Sequence, residues 1–299
     1  MYINHNLMAS NVGNNLASHY SNLQTSTQRL SSGLRVNSAA DDAAGLAIRE
    51  LMRADIASLQ QGVRNANDAI SLIQTADGAL GVIDEKLIRM KELAEQAATG
   101  TYDSTQRLMI ESEYQAMASE ITRIANATDF NNIKLLDGNL SDKTHKGKGG
   151  GDSKLASTGK LKVHFGAGND SAEDYYYIQI GDSTASALGV GNASNPKGDA
   201  YTISTQEAAQ KALSGINNAI ISKDKIRAHL GALQNRLENT ISNLTTQAEN
   251  LQAAESRISD VDVATEMTQF VRNQILTQSA VAMLSQANSM QQMAMQLIG

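Results

Sequence analysis

NQILTQSAVAMLSQANSMQQMAMQLIG, residues 273–299, is a stretch without a single Asp, Glu, Lys or Arg. Small and apolar residues recur in it at alternating steps of four and three, the heptad pattern of helices that pack lengthwise against other helices. The members of this seam are Leu276, Ala280, Met283, Ala287, Met290, Ala294 and Leu297. An exposed amphipathic helix normally carries charges on its outer face. Because no face carries a charge here, we expect a helix enclosed by protein on all sides.

The first 28 residues have the same character, since they contain no Asp, Glu, Lys or Arg and their only basic side chains are His5 and His19. Leu16, Leu23 and Leu30 are seven residues apart, which again indicates a packing helix. A single pair of such helices would leave uncharged faces in water, whereas many copies side by side would cover them. The alternatives are a monomeric bundle and, for residues 273–299, a membrane span. A span needs about 20 predominantly apolar residues, and this stretch is rich in Gln and Asn.

The composition of the 299 residues permits long helices and excludes several classes of site. Pro196 is the only proline, so no other residue forces a helix to break. There is no Cys, and therefore no disulfide or thiolate metal site. The net charge of −6 disfavours nucleic acid as a partner. Residues 1–28 lack the charged start and apolar core of a signal peptide, and we expect no membrane insertion.

Periodicity along the chain predicts a mainly α fold. Helices are expected over residues 1–34, 45–98, about 104–126 and 205–258, with a connector at 29–48. A short strand is expected at 133–136. The middle, about 138–204, differs: residues 161–165 and 175–180 read as paired strands, with a shorter strand at 201–203 and a basic loop at 143–151. The expected architecture is a long antiparallel helical rod, a coiled-coil-like bundle built from both chain ends, with a small β-containing insert at the distal end.

No motif indicates catalysis, a cofactor or a metal. The His-Glu-x-x-His pattern of zinc proteases is absent. His145 and His164 lie in the insert without a helical partner four residues away, which favours surface or strand histidines over ligands. No glycine-rich phosphate loop and no nucleophile elbow is present. We therefore predict a protein that is not an enzyme.

Several stretches together resemble the bacterial flagellin family. In the first half they are residues 1–6 (MYINHN), the connector RLSSGLRVNSAADDAAGLAI at 29–48, AISLIQTADGAL at 69–80 and DFNN at 129–132. In the second half they are SRISDVD at 256–262, TEM at 265–267 and QAN at 286–288. The resemblance covers residues 1–138 and 205–299 and does not extend to the insert.

The resemblance implies a self-assembling subunit of the flagellar filament, a helical homopolymer that serves swimming motility. It implies an inner tube domain from residues 1–44 and 259–299, an outer tube helical domain from 45–138 and 205–258, and a variable surface-exposed insert at 139–204. It also implies secretion to the extracellular filament through the flagellar type III apparatus, with terminal helices that fold on assembly. The implied partners are the flagellar export chaperone, the cap and the hook-junction proteins.

The expected inner-tube packing residues are Leu16, Leu23, Leu30, Leu276, Met283, Leu284, Met290 and Leu297. The resemblance also implies recognition by the vertebrate innate flagellin receptor through Arg89, Leu93 and Glu113, although Ile88 and Glu95 depart from the family's common Gln and Val. Without the family, those three residues read as ordinary helix residues. Two alternatives remain at this stage: a hook–filament junction protein of the same family, and a secreted coiled-coil adhesin that acts as a monomer.

Overall fold

The computed structural model describes residues 6–141, 146–147, 157–170, 173–191 and 202–298. Most of these residues lie in five helices: α1 (Leu7–Ser32), α2 (Ala43–Ala98), α3 (Ser104–Ala127), α4 (Gln206–Ser259) and α5 (Val263–Ile298). Three small antiparallel sheets pair β1 (Asp129–Phe130) with β2 (Ile133–Lys134), β3 (Lys146–Gly147) with β4 (Ser157–Thr158), and β5 (Leu161–His164) with β6 (Tyr175–Ile178). The prediction of a mainly α chain with a small β-containing insert is confirmed.

The helix ends follow from the local sequence. The side chain of Asn6 accepts a hydrogen bond from the backbone N–H of Ala9 at 2.9 Å, and α1 begins at the residue after Asn6. Gly33 ends α1 with a φ of 74°, a left-handed conformation that glycine adopts without steric cost. The carboxylate of Asp42 accepts from the N–H of Gly45 at 2.9 Å, so Asp42 caps the start of α2.

The chain forms two compact units. The terminal unit comprises Met1–Ala57 and Ala248–Gly299, and the central unit comprises Ser58–Gln247. In the central unit, apolar stripes of α2, α3 and α4 bury side chains completely, as Leu80, Ile83 and Ile121 show. On α4, Leu230 and Leu237 are seven residues apart and face this core, because each is 1% exposed.

Ion pairs join α2 and α4 inside the central unit. Lys223 is buried, and its ammonium group lies 2.5 Å from the carboxylate of Asp84 and 2.7 Å from that of Asp224. One turn further along, the Arg227 guanidinium donates to Asp77 at 2.7 Å. These partners fix the antiparallel register of α2 and α4, since residue numbers fall on one helix as they rise on the other.

The β5–β6 hairpin packs along the side of α2 and α4. The amide of Asn65 donates to the backbone carbonyl of His164 at 2.8 Å, and the Arg236 guanidinium lies 3.6 Å from the centre of the Tyr176 ring. The sequence pattern predicts the insert at the distal end, but the hairpin lies beside residues 62–65 of α2 and not at the α2–α3 turn. The reason is its alternating pattern, because the buried face that includes Val163 needs an apolar surface to cover.

Smaller differences also have local causes. Residues 202–203 are not a strand, since the N–H of Ile203 donates to the carboxylate of Glu111 at 2.5 Å and not to a strand partner. Lys146 and Gly147, predicted as loop, form β3, while residues 143–145 and 148–151 lie outside the described part. Residues 184–188 form a helical turn, in which the N–H of Leu188 donates to the carbonyl of Thr184 at 3.0 Å.

Candidate functional site: the terminal helix pair

Helices α1 and α5 contact each other inside the terminal unit and run antiparallel. At one end, the amide of Asn6 donates to the backbone carbonyl of Ala287 at 3.2 Å. Towards the other end, the Arg29 guanidinium lies 3.6 Å from the carboxylate of Glu266. These two contacts set the register of what we call the terminal helix pair, α1 with α5.

The face of α5 that packs against α1 is narrow and carries few large apolar side chains. Its buried positions are Asn273, Thr277, Ala280 and Ala287, each 8–9% exposed, with Leu284 half-buried between the alanines. Their spacing of four, three, four and three is a heptad. We call these five residues the inner seam. A coiled coil usually carries large apolar residues at such positions, so the inner seam contributes less apolar burial than its length suggests.

The predicted heptad on α5 is therefore divided between two faces. Ala280 and Ala287 belong to the inner seam, but Leu276, Met283 and Met290 are 38%, 59% and 36% exposed. We call these three exposed residues the outer stripe. A single partner helix can cover only one narrow face, so α1 leaves the outer stripe bare. The side chains of Ala294 and Leu297 lie outside the described residues.

Further apolar side chains of the pair are exposed on other faces. On α1, the half-buried Leu16, Leu23 and Leu30 are accompanied by large apolar side chains in water. Monomeric proteins scatter such residues singly, whereas contiguous exposed apolar surface usually marks an interaction site. The exposed apolar residues beyond the outer stripe are Leu7, Met8 and Tyr20 on α1, and Val263, Met267, Val271, Ile275, Val281 and Met293 on α5.

A backbone clasp joins the end of α1 to the end of α4. The N–H of Arg35 donates to the carbonyl of Ser259 at 2.7 Å, and the N–H of Val261 donates to the carbonyl of Gly33 at 3.0 Å. The Arg35 guanidinium adds a bond to the carbonyl of Ile258 at 2.7 Å. These bonds connect stretches that are more than 220 positions apart in the chain. They hold the segment that leads into α2 next to the segment that leads into α5.

Carboxylates and one arginine fix the connector between α1 and α2. Asp41 accepts from the N–H groups of Asn37 and Ser38 and from the Ser38 hydroxyl, at 2.9–3.2 Å. The bonds from Ser38 are the main reason that the pKa of Asp41 lies below its usual value. The Arg49 guanidinium is buried and donates to the carbonyl of Val36 at 2.9 Å. The sequence resemblance marked this connector but did not reveal the Arg49–Val36 contact.

The start of α5 has a second stabilised carboxylate. Asp262 accepts from the hydroxyl of Thr265 at 2.8 Å and from the N–H of Ala264 at 3.0 Å. The hydrogen bond from the Thr265 hydroxyl is the largest cause of the lowered pKa of Asp262. A negative charge at a helix N-terminus also interacts favourably with the helix dipole.

The structure brings together two of the three residues predicted for receptor recognition. The Arg89 guanidinium donates to the carboxylate of Glu113 at 2.8 and 2.9 Å and to that of Glu92 at 2.9 Å, and these exposed bonds raise the pKa of Arg89, Glu113 most of all. Leu93, in contrast, is 2% exposed and lies in the core of the central unit. Arg89 and Glu113 therefore form one surface pair, and Leu93 is not part of that surface.

The described residues include no group of three or more His, Cys, Asp or Glu side chains placed to hold a metal ion. The ring of His164 stacks on that of Tyr175, with centroids 6.0 Å apart, while His145 lies outside the described part. Within the described part, no helix is long and apolar enough to cross a membrane.

Comparison with known proteins gives consistent matches at both ends of the chain. Residues 3–141 match the family described as the bacterial flagellin N-terminal helical region, and residues 213–298 match the bacterial flagellin C-terminal helical region. The chain is 40% identical over 298 residues to flagellin FlaB2 of Treponema pallidum (strain Nichols), covering 100% of both chains. It is 42% identical over 314 residues to the flagellin of Bacillus subtilis (strain 168), again covering 100% of both.

Among solved structures, the chain is similar to a putative flagellar hook-associated protein from Vibrio parahaemolyticus. The TM-score is 0.55 over 74% of this chain and 100% of that chain. Because only 13% of the aligned residues are identical, this similarity supports the fold alone.

Proposed function

The chain belongs to the bacterial flagellin family and is a subunit of the flagellar filament, and on that premise we propose that copies pack against one another through the exposed faces of the terminal helix pair. The observation that carries this proposal is the outer stripe. Its apolar side chains are exposed in the single chain, and the helix region that carries them has no charged residue to favour contact with water. A helical polymer with head-to-tail contacts gives each copy several neighbours, which can cover such faces.

The energy available from this surface is substantial. Complete burial of a Leu or Met side chain is worth about 1.5–3 kcal/mol. With 36–59% of each outer-stripe residue still exposed, covering one of them would contribute about 1 kcal/mol. Repeated along residues 7–28 of α1 and 273–298 of α5, which contain no Asp, Glu, Lys or Arg, these contributions add up without a charged group that must lose its hydration.

We propose further that the terminal helices become fully ordered only on assembly. The inner seam supports this idea because Asn273, Thr277 and two alanines occupy positions where a stable coiled coil carries larger apolar residues. Ordering one residue costs about 1–2 kcal/mol of backbone entropy. Contacts with neighbouring copies would supply what the inner seam lacks.

The assignment of chain segments to filament layers is part of the same proposal. Residues 1–44 and 259–299 form the inner tube, residues 45–138 and 205–258 form the outer tube, and the insert at 139–204 faces the surface. The distribution of charge supports this order. Among the described ion pairs, Arg29–Glu266 lies in the inner-tube segments, and the others lie in the outer-tube segments.

The experiment introduces one charge at matched positions. Met283→Asp places a carboxylate on the outer stripe, and Gln210→Asp places one on an exposed polar site of α4 in the central unit. Burying an unpaired charge costs several kcal/mol, so we expect the critical concentration for polymerisation of Met283→Asp to rise about 100-fold or more. Gln210→Asp should polymerise like the wild type.

A second variant separates the two faces of α5. Leu284→Asp lies in the inner seam and should disturb the α1–α5 pairing as well as polymerisation, whereas Met283→Asp should disturb polymerisation alone. Circular dichroism and thermal melting of the monomers report the pairing, and sedimentation reports the polymer. Normal filaments from Met283→Asp would contradict the proposal.

Self-assembly and a place in the filament follow from the family, and we infer finer steps from it. The subunit leaves the cell through the flagellar type III apparatus after binding an export chaperone, and it assembles between the hook-junction proteins and the cap. The extracellular filament is thus its final location. Secretion from a strain that lacks the export apparatus tests this inference, since undiminished protein in the medium would contradict it.

Recognition by the vertebrate innate flagellin receptor is a separate proposal, supported by the exposed Arg89–Glu113 pair. Arg89→Ala and Glu113→Ala monomers should activate the receptor less while keeping the stability of the wild type. Leu93→Ala should mainly lower stability, because it removes a buried side chain. Unchanged activation by both surface variants would exclude this pair as the contact.

The family is structural, and we propose that the chain has no catalytic activity of its own. The described insert supports this view, because His164 is engaged with an aromatic neighbour and not with other potential ligands. Incubation of purified filaments with a peptide substrate mixture, with and without a chelator, tests the proposal; chelator-sensitive cleavage would overturn it.

A further inference from the structure

The terminal unit concentrates exposed methionine on the faces proposed for packing. The central unit has three methionines with described side chains. Met90 is completely buried, Met117 is half-buried, and Met109 is 70% exposed. Within the terminal unit, Met52 is half-buried, and the exposed fractions of five further methionines run from 36% to 62%. These five methionines are Met8, Met267, Met283, Met290 and Met293.

From this distribution we propose that the five methionines are oxidation sites, and that their conversion to sulfoxide by a peroxide blocks assembly of the subunit. The chain contains no Cys and no Trp. Methionine thioethers are therefore its only sulfur groups and its most readily oxidised side chains.

The reaction needs only hydrogen peroxide as co-reactant. A lone pair of the thioether sulfur attacks one peroxide oxygen, the O–O bond breaks, and a sulfur–oxygen bond forms. The departing hydroxide takes up the remaining proton and leaves as water. The sulfur is oxidised by two electrons and the peroxide is reduced by two, so that each site consumes one peroxide and yields one sulfoxide.

Accessibility decides which sulfur atoms react. Peroxide reaches a half-exposed thioether from water, whereas Met90, at 0% exposure, is shielded by the core of the central unit. The five terminal methionines and Met109 should therefore oxidise first in the monomer. In the filament, the five should be protected by neighbouring copies, because they lie on the faces that those copies cover.

The effect of oxidation follows from polarity. A sulfoxide is a strong hydrogen-bond acceptor, and against the Leu, Val, Ile and Met side chains exposed on the packing faces it finds no donor, although Gln, Ser and Asn lie at other positions of α5. Burying it there carries the penalty of an unsatisfied polar group. This step depends on the proposed packing through α1 and α5, and it adds a chemical control to that surface. One sulfoxide should raise the critical concentration roughly tenfold.

The test compares three proteins before and after peroxide treatment of the monomer. These are the wild type, a variant with Met→Leu at all five positions, and Met109→Leu as a matched control in the central unit. Leucine conserves volume and cannot be oxidised. Peptide mass spectrometry confirms which positions carry sulfoxide, and sedimentation gives the critical concentration.

Peroxide should raise the critical concentration of the wild type and of Met109→Leu at least tenfold, and that of the five-site variant less than twofold. Methionine sulfoxide reductases added to the oxidised wild type should restore assembly, which tests the inference even if the five-site variant folds poorly. Normal assembly of wild type that carries sulfoxide at the five positions would overturn the inference, as would failure of reduction to restore it. The proposed packing is judged separately by unoxidised Met283→Asp.

Discussion

Replacing Asn273 by leucine should stabilise the terminal helix pair in the isolated subunit. Asn273 is 9% exposed in the inner seam, so its amide has been removed from water for little apolar gain. Leu at this position removes a buried amide, worth about 1–3 kcal/mol, and adds apolar burial of about 1.5–3 kcal/mol. Part of this gain is offset by imperfect packing of the branched side chain. We expect a net stabilisation of about 2 kcal/mol.

Amide hydrogen exchange of the monomer, kept below the critical concentration, measures this directly. A gain of about 2 kcal/mol corresponds to roughly 30-fold slower exchange of the amides in α1 and α5. The matched control is Gln274→Leu, which adds the same side chain one position away at an exposed site. It should leave exchange in the pair almost unchanged.

Two results would refute this reasoning. If Asn273→Leu left the exchange rates unchanged, the polar residues of the inner seam would not be the cause of the low stability of the terminal helix pair. If Gln274→Leu protected the pair equally, general hydrophobicity and not the inner seam would be responsible. In either event the proposed link between a weak seam and ordering on assembly would fail.

Other parts of the structure yield matched predictions. Gly62→Ala should destabilise the central unit by about 1–3 kcal/mol, because the added Cβ would collide with the carbonyl of Phe165. Gly78→Ala has open space around its Cβ and should stabilise α2 by about 1 kcal/mol. Equal melting temperatures of the two variants would contradict this. The lowered pKa values of Asp41 and Asp262 mean that their stabilisation is present above the ordinary pKa of 3.8 and is lost as the pH falls through the depressed values. Protection of the amides near both residues, measured relative to the intrinsic exchange rate at each pH, should therefore fall as the pH falls through the depressed values, and pH-independent protection there would count against it.

Heptad spacing was sufficient to locate the long helices and to identify α1 and α5 as packing elements. It could not assign the two faces of α5, because Ala280 and Met283 satisfy the same periodicity. Only the size and register of the partner helix decide which of them is covered. Asn273 and Thr277 were missed as inner-seam members because a search for apolar periodicity passes over polar residues.

The insert shows a second limit of the sequence. Alternation predicted the pairing of β5 and β6 correctly, since it is a property of the strands themselves. Where the hairpin lies depends on surfaces far away in the chain, such as the clearance at Gly62 and the guanidinium of Arg236. The buried Arg49–Val36 contact is similar, because a lone arginine at a helix start normally reads as a solvated charge.

In the filament, we expect neighbouring copies to cover the outer stripe, and a thiol placed on it measures that cover directly. Because the chain has no cysteine, Met283→Cys provides a unique thiol on that stripe, and Asn169→Cys provides one on an exposed loop of the insert. The labelling rate with a maleimide should fall at least 100-fold for Met283→Cys when monomers assemble, and should change little for Asn169→Cys. Equal labelling of Met283→Cys in monomer and filament would contradict the claim.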